Sequence, residues 1–193
     1  MAVGDSITAG NPDWDPDPVA REREGGFDPQ SQYLFWAAKR NPGMEFRNCG
    51  VGGERCDEIA ARLEVNLAGA DVLVVQGGIN DIVQKRPLEP AVEQLRTMVR
   101  RGLELGLPVV MPDVLPWNKG WPDNEPTIRE LNVLLRAMAA EEGIPVLAFH
   151  DALEDPDNPG RMRQEWTNDG NHPNVAGHRV LGELAFRLPE RRR

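Results

Sequence analysis

The chain is poor in cysteine and in long hydrophobic runs, and each shortage excludes a class of protein. Only Cys49 and Cys56 occur in 193 residues. Two cysteines cannot build a disulfide framework, and their spacing is not that of a CxxC metal site, so free, unreactive thiols are expected. Apolar runs such as Val72–Val75 are far shorter than the roughly 20 residues of a membrane span. The sequence therefore predicts no membrane-spanning segment.

Basic residues are also in the minority. The chain has 22 Lys and Arg against 31 Asp and Glu, a formal net charge of −9. Binding to duplex nucleic acid depends on basic contacts to phosphates, so nucleic acid is excluded as an expected partner. The one basic cluster, Arg191–Arg193, is expected to be a solvated tail.

The length and a hydrophobic content of 40% are typical of one globular domain, predicted over residues 1–193. No signal peptide precedes Ser6, which predicts a cytoplasmic protein. The first predicted strand is shorter than the usual five or six residues. The alternative is therefore that the natural start lies further upstream and that the protein is secreted. No feature of the sequence indicates an oligomeric state.

Short apolar segments alternate with segments of helical periodicity along the chain. The predicted strands are Met1–Val3, Met44–Asn48, Asp71–Gln76, Pro108–Met111 and Pro145–Phe149. The predicted helices are Ser31–Arg40, Arg55–Leu67, Pro90–Leu105, Glu125–Glu142 and Val175–Phe186. This alternation predicts a three-layer α/β/α sandwich around a parallel five-stranded sheet. The segment Asn11–Gln30 is rich in Pro and Asp, and we expect a long loop there, beside Ser6.

Polar and glycine-rich segments follow several of these strands. Sites in such sheets form beyond the carboxyl ends of the strands, so Ser6, Gly53, Asn80 and the loop after Met111 are expected at one edge. Ser6 lies at a strand-to-helix turn, where a serine can be an exposed nucleophile. The sequence therefore places its candidate site at this edge.

A serine needs a base to remove its proton and a group that orients the base. His172 is the preferred base because Asp169 precedes it by three residues and can reach its Nδ1. His150 is the alternative base, and His178, in the last predicted helix, is expected to be exposed or to cap the helix. The other interpretation of Asp169 and His172 is a polar loop that caps the following helix.

The oxyanion formed during acyl transfer needs preorganised hydrogen-bond donors. Asn80 follows the strand Asp71–Gln76 and can direct its side-chain amide into the site. A backbone N–H from the loop Asn48–Gly53 would be a second donor. The alternative is that the glycines of these loops only form tight turns.

Four sequence blocks occur in the order typical of one enzyme family. They are Gly4-Asp5-Ser6, the glycine loop ending at Gly53, Gly78-x-Asn80-Asp81 and Asp169-x-x-His172. In these blocks the chain resembles the GDSL, or SGNH, hydrolases, from residue 4 to about residue 178. Ile79 is an extra residue where many members read Gly-Gly-Asn-Asp.

The resemblance implies a flavodoxin-like α/β/α fold and hydrolysis of esters without a metal or organic cofactor. By this resemblance Ser6 is the nucleophile, His172 the base and Asp169 the residue that orients it. The oxyanion hole would combine the N–H groups of Ser6 and Gly53 with the Asn80 side chain. Gly50 and Gly52 compete with Gly53 for that role.

The expected partner is a small-molecule ester. Trp117, Trp121 and Trp14 are candidates to line the substrate pocket, although loop tryptophans equally often cover the edge of a core. Short-chain acyl esters are the first choice of substrate. Acetylated carbohydrates, and lysophospholipids or thioesters, are alternatives. A carbohydrate-binding module without catalytic activity is the hypothesis from another class.

Overall fold

Five parallel strands form a single sheet in the computed structural model, which describes residues 1–188. The strands are β1 (Ala2–Gly4), β2 (Asn48–Gly50), β3 (Leu73–Val75), β4 (Val109–Pro112) and β5 (Val146–Leu147). Their order is β2-β1-β3-β4-β5, and every neighbouring pair is parallel. The predicted tail Arg191–Arg193 lies outside the described residues.

Helices connect the strands and cover the sheet. They are α1 (Ser6–Ala9), α2 (Pro18–Glu24), α3 (Tyr33–Arg40), α4 (Cys56–Ala61), α5 (Leu63–Leu67), α6 (Ile79–Val83), α7 (Leu88–Glu104), α8 (Glu125–Glu142), α9 (Phe149–Leu153) and α10 (Val175–Val180). A π-helical turn, Leu181–Ala185, continues α10, and 3₁₀ turns span Asn118–Gly120 and Gln164–Trp166. The predicted α/β/α architecture is confirmed.

Side chains of alternate strand residues enter two separate cores. Val3, Leu73 and Val109 belong to one cluster, which contains the apolar faces of α4, α7 and α8. Ala2, Val74 and Val110 belong to the other, which contains side chains of α3, α9 and the π-helical turn. Successive residues of a strand point to opposite faces, so a parallel sheet covered on both faces needs apolar residues at nearly every position.

The second strand differs most from its prediction, which was Met44–Asn48. The parallel register pairs Ala2 with Asn48 and Gly4 with Gly50, so β2 begins where the apolar segment ends. The Asn48 side chain donates hydrogen bonds to the carbonyls of Thr8 and Ala9, at 2.8 and 3.0 Å. Contacts with α1, and not hydrophobicity, therefore determine the position of this edge strand.

The predicted loop Asn11–Gln30 contains helix α2, so that prediction was wrong for its middle part. The Asp17 carboxylate accepts a hydrogen bond from the Val19 N–H at 2.9 Å, and Pro18 occupies the first turn. Gly25 ends the helix with a φ of 78°, a left-handed conformation that favours glycine. These are ordinary helix-start and helix-stop signals.

Two other predicted elements are divided. The predicted helix Arg55–Leu67 is interrupted at Arg62, between α4 and α5. The predicted helix Val175–Phe186 changes from α-helix to a π-helical turn at Leu181. The last strand is limited to Val146–Leu147, because Phe149 already begins α9.

The remaining expectations concern cysteines and the membrane. Both cysteines are free thiols, and burial raises the pKa of Cys49 and of Cys56. A raised pKa keeps a thiol protonated and unreactive. None of the helices described within residues 1–188 is long and apolar enough to cross a membrane.

Candidate active site

Ser6 is the first residue of helix α1, directly after the central strand β1. Asp5 caps this helix: its Oδ1 accepts a hydrogen bond from the Ile7 N–H at 2.9 Å. Gly4 is required by close packing, since a Cβ there would lie 2.3 Å from Thr8 Oγ1 and 2.4 Å from Gln76 Oε1. The local sequence thus fixes a sharp strand-to-helix turn with the serine at its tip.

The side-chain amide of Gln76 stabilises this turn by hydrogen bonds. Its Oε1 accepts from the Asp5 N–H at 3.1 Å and from the Thr8 hydroxyl at 2.9 Å, and its Nε2 donates to Asp5 Oδ2 at 3.0 Å. Complete burial raises the pKa of Asp5 to about 6, against the opposing effect of its bonds to Ile7 and Gln76. The turn that carries Ser6 is therefore held by a buried polar network.

His172 lies between Ser6 and Asp169. Its Nδ1 is 2.7 Å from Asp169 Oδ2, and its Nε2 is 3.1 Å from Ser6 Oγ. Burial alone would raise the pKa of Asp169, but hydrogen bonds from the His172 backbone and ring and from the Asn171 N–H lower it to about 2. Because an ionised carboxylate only accepts, Nδ1 carries the proton and Nε2 can accept the serine proton.

The loop that carries Asp169 and His172 is fixed by its neighbours. The buried Thr167 hydroxyl donates to the His172 carbonyl at 2.7 Å and accepts from the Gly170 N–H at 2.9 Å. The Asn118 N–H donates to the Gly170 carbonyl at 2.8 Å, which joins this loop to the one after β4. Ser6 and His172, 166 residues apart in sequence, are thereby brought into contact.

Asn80 and Gly53 lie on the same cavity as Ser6. One hydrogen of the Asn80 amide is donated to the Glu54 carbonyl at 2.8 Å, which orients the amide and leaves its second hydrogen for another acceptor. Gly53 has a φ of 82°, and its N–H donates to no acceptor among residues 1–188. A Cβ at Gly50 would lie 2.1 Å from the Ala9 nitrogen, so that glycine serves close packing.

The cavity at Ser6 has a volume of about 540 Å³. Its charged and amide-bearing lining residues are Asn11, Asp15, Asp17, Arg23, Asn80 and Asn171. Trp117 also lines it, and its ring meets the His172 ring edge-on with centroids 5.8 Å apart. The other two candidate tryptophans, Trp14 and Trp121, are not among the described residues that line this cavity. Arg21 lies over the Trp14 ring, and Arg161 lies over the Trp121 ring.

The other two histidines lie elsewhere. His178 is fully buried, so the expectation of an exposed or capping residue was wrong, and burial lowers its pKa to about 3. Neither of its ring nitrogens has a partner among the described residues. His150, the alternative base, is buried on α9 and does not line the cavity within the described part of the chain.

Metal-ligating side chains come together at one place in residues 1–188. His150, Asp151 and Glu154 have potential ligand atoms within 4.8 Å of one another. Glu154 Oε1 already accepts from Arg129 at 3.0 Å and from the Gly160 N–H at 2.6 Å, and Arg136 lies 3.7 Å from Asp151. The carboxylates are thus used by protein cations and by the backbone.

The family model of the GDSL-like lipase/acylhydrolase family matches residues 2–180. The chain belongs to this family. Members of the GDSL-like family are ester hydrolases, and this protein is accordingly an ester hydrolase. No curated protein sequence matches the chain.

Solved structures of other proteins share the fold of this chain. A member of the lipolytic G-D-S-L family from Veillonella parvula has a TM-score of 0.73 at 22% identity, covering 94% of this chain and 92% of its own. A GDSL-like lipase from Bacteroides thetaiotaomicron has a TM-score of 0.73 at 19% identity, with 95% and 83% covered. An acetylxylan esterase from Geobacillus stearothermophilus has a TM-score of 0.69 at 18% identity, with 99% and 95% covered.

Two residues that support the loops of Ser6 and His172 were not predicted from the sequence. Gln76 is the last residue of a predicted strand, and Thr167 lies two residues before Asp169; neither belongs to one of the four sequence blocks. Both are buried polar residues at strand or loop ends, at 5% and 3% exposure. In the sequence, each is a polar residue two positions before one of the four blocks. Such a residue can be identified as a support of the site only when its hydrogen-bond partners are known.

Proposed function

We propose that this GDSL-family hydrolase cleaves short-chain acyl esters with Ser6 as nucleophile, His172 as base and Asp169 as the group that orients the base. The observation that carries the proposal is the position of His172, with Nδ1 2.7 Å from Asp169 and Nε2 3.1 Å from Ser6. Distances of this size are those expected for a nucleophile, its base and an orienting carboxylate.

The reaction proceeds in two steps. Ser6 Oγ attacks the ester carbonyl carbon while His172 Nε2 takes its proton; the tetrahedral intermediate then expels the alcohol, which receives that proton. Water, deprotonated by His172, attacks the acyl-enzyme carbonyl; the bond to Ser6 Oγ then breaks, the acid leaves, and His172 returns the proton to Ser6 Oγ. The N–H groups of Ser6 and Gly53 and the free amide hydrogen of Asn80 stabilise the oxyanion in both steps.

The chemistry is tested with a fluorophosphonate probe and p-nitrophenyl acetate. We expect the probe to label Ser6, identified by peptide mass spectrometry, and Ser6→Ala to lower kcat by roughly 10³-fold or more. Ser31→Ala is the matched control, because Ser31 is a fully buried serine that does not line the cavity among the described residues. Labelling of another residue, or more than a few per cent of residual activity in Ser6→Ala, would reject the proposal.

A second candidate function is removal of acetyl groups from carbohydrates. It is supported by the polar wall of the cavity, where Asn11, Asp15 and Asn171 can accept or donate hydrogen bonds to hydroxyl groups. Within residues 1–188, the apolar residues that line the cavity are Ala20, Val51 and Trp117, besides glycines, and they give a long acyl chain little surface to bury.

The two candidates are separated by a rate profile. Acetyl, butyryl and octanoyl p-nitrophenyl esters are compared with acetylated xylo-oligosaccharides and with a lysophospholipid. A carbohydrate acetylesterase would show kcat/KM on the acetylated sugars above that on p-nitrophenyl acetate. Preference for the octanoyl ester or the lysophospholipid would instead favour a lipase or thioesterase.

A further inference from the structure

Arg62 lies at the interruption between α4 and α5, and its guanidinium reaches back toward the active-site loops. Its side chain is only 20% exposed. Nη1 donates to the Cys49 carbonyl at 2.5 Å, Nη2 donates to the Gly4 carbonyl at 2.9 Å, and Nε donates to Glu54 Oε2 at 2.6 Å. The planar fork of a guanidinium can serve three acceptors at once, which a lysine ammonium on a flexible stem does less well.

The two carbonyls belong to the strands that carry the catalytic loops. Gly4 ends β1 and is followed by Asp5 and Ser6, while Cys49 lies in β2 and is followed by the loop that ends at Gly53. The Gly4 carbonyl also accepts the Val51 N–H at 2.9 Å. Arg62 therefore joins the ends of two strands at the point where their loops leave the sheet.

The third acceptor extends this connection to Asn80. Glu54 follows Gly53 directly, its carboxylate accepts from Arg62, and its backbone carbonyl accepts from Asn80 Nδ2 at 2.8 Å. One guanidinium thus contacts the nucleophile strand, the glycine-loop strand and the residue that orients the Asn80 amide. Charge-assisted bonds of this kind are about twice as strong as neutral ones and impose a defined geometry.

We infer that Arg62 is a positioning residue of the esterase: it sets the spacing between Ser6, Gly53 and Asn80 without touching the substrate. Arg62 is not among the residues that line the cavity in the described chain. The inference rests on the proposed function, since it assigns Arg62 a part in assembling that oxyanion hole. A purely structural arginine would affect folding and leave the chemistry of the folded molecules unchanged.

Arg62→Gln is the first test, with Arg47→Gln as its matched control. Arg47 also donates to two backbone carbonyls, those of Asn66 and Ala68, but it precedes β2 at the opposite end of the strand. We expect Arg62→Gln to lower kcat on p-nitrophenyl acetate about 10- to 100-fold with KM changed less than about threefold, because displacements near 1 Å cost this much. Arg47→Gln should leave kcat within about twofold.

A double-mutant cycle with Asn80→Ala separates positioning from folding. If Arg62 acts through the oxyanion hole, its loss in the Asn80→Ala background costs less than about fivefold in kcat, because residues that act as a unit are not additive. Rates are expressed per fluorophosphonate-reactive site, so that unfolded molecules do not count. The same loss in both backgrounds, or kcat of Arg62→Gln within twofold of wild type, would overturn the inference.

Glu54→Gln covers the case in which Arg62→Gln folds poorly. It retains the backbone carbonyl that binds Asn80 but removes the charge that Arg62 contacts, and we expect a smaller loss of kcat, about three- to tenfold. Wild-type labelling distinguishes the two levels of failure. When Ser6 is labelled and neither variant loses kcat, only the role of Arg62 is rejected; when Ser6 is not labelled, the proposed function and this inference are rejected together.

Discussion

The Asp169 carboxylate holds His172 by two different groups. Oδ2 is 2.7 Å from the His172 ring nitrogen Nδ1, and Oδ1 accepts the His172 backbone N–H at 2.8 Å. The Asn171 N–H donates to the same Oδ1 at 2.8 Å. The imidazole is therefore fixed in both position and tautomer by a single side chain three residues before it.

Asp169→Asn is predicted to preserve the fold and to remove most of the activity. The amide can accept the backbone bonds, but its NH₂ facing Nδ1 favours the tautomer whose proton is on Nε2. That tautomer cannot accept the Ser6 proton, and kcat should fall by about 10⁴-fold. Steady-state kinetics and thermal unfolding measure the two effects, with exposed Asp123→Asn as the control. A loss below tenfold would show that Asp169 does not orient the base.

Asn80→Ala is predicted to lower kcat on p-nitrophenyl acetate by roughly 10²- to 10³-fold, the cost of one oxyanion donor. KM should change little, because the donor is used mainly in the transition state. Asn158→Ala is the control, since the exposed Asn158 side chain donates to Asp155 and to no other residue that the structure describes. A change that appears in KM with kcat intact would assign Asn80 to ground-state binding.

Trp117→Ala is predicted to alter both rate and chain-length preference. Its ring lies edge-on to the His172 ring and lines the cavity, so truncation removes this ring contact and enlarges the cavity beside Ser6 and His172. We expect about a tenfold lower kcat on the acetyl ester. We also expect kcat/KM for the butyryl ester to rise relative to kcat/KM for the acetyl ester, since one methylene changes selectivity by roughly 10-fold or more.

Trp121→Ala serves as the control for this pair, because Trp121 is 43% exposed and lies under Arg161. Its kinetics should match those of the wild type. Equal losses in the two tryptophan variants, or an unchanged chain-length profile in Trp117→Ala, would contradict a role of Trp117 in the site.

His178→Leu is predicted to make the protein less sensitive to acid. The folded-state pKa of His178, lowered to about 3 by burial, lies below the ordinary value of 6.5. The unfolded chain therefore binds more protons between these values, and wild-type stability falls as pH decreases below about 6.5, by up to ~1.4 kcal/mol per pH unit. Leucine removes this loss.

The measurement is urea unfolding at pH 7.5 and pH 5 for both proteins. Asp5 acts in the opposite sense, since its pKa, raised to about 6 by burial, lowers stability as pH rises from about 4 to 6. Asp5 is present in both proteins, so its effect cancels in the difference. An identical pH dependence of the two proteins would show that the folded state does not lower the pKa of His178.

The helices with strong amphipathic patterns were predicted well from sequence. The observed bounds of α8, Glu125–Glu142, are those predicted, and Gly143 ends it with a φ of 68°. Its apolar stripe and its glycine stop signal agree with each other. For such helices local propensity and tertiary packing favour the same residues.

The second strand could not be predicted, because its position depends on distant contacts. Asn48 and Gly50 have little strand propensity, and they occupy β2 through bonds and close packing against α1. The burial of His178 was not predicted for a similar reason. It follows from the packing of α10 against other parts of the chain, which the sequence pattern does not encode.

The parts of the site whose residues are close in sequence were predictable. The contacts between residues that are far apart in sequence were predicted incompletely. Asp169 and His172 have a spacing that chemistry can interpret, and Ser6 follows a strand. The supporting contacts of Gln76 with Asp5 and of Arg62 with Gly4 join residues 71 and 58 positions apart. Such pairs emerge only from the three-dimensional arrangement of strands β1 and β3 and helices α4 and α5.

The placement of Asp169 and His172 on one short loop has a consequence for how activity is lost. Thr167 and Asn118 anchor that loop, and within it two hydrogen bonds join Asp169 to His172. If the loop opens, Asp169 and His172 leave Ser6 together, and no arrangement remains in which the His172 ring faces Ser6 without Asp169 beside it. Inactivation by loop opening would thus be all-or-none for each molecule, and reclosure would restore the complete base at once.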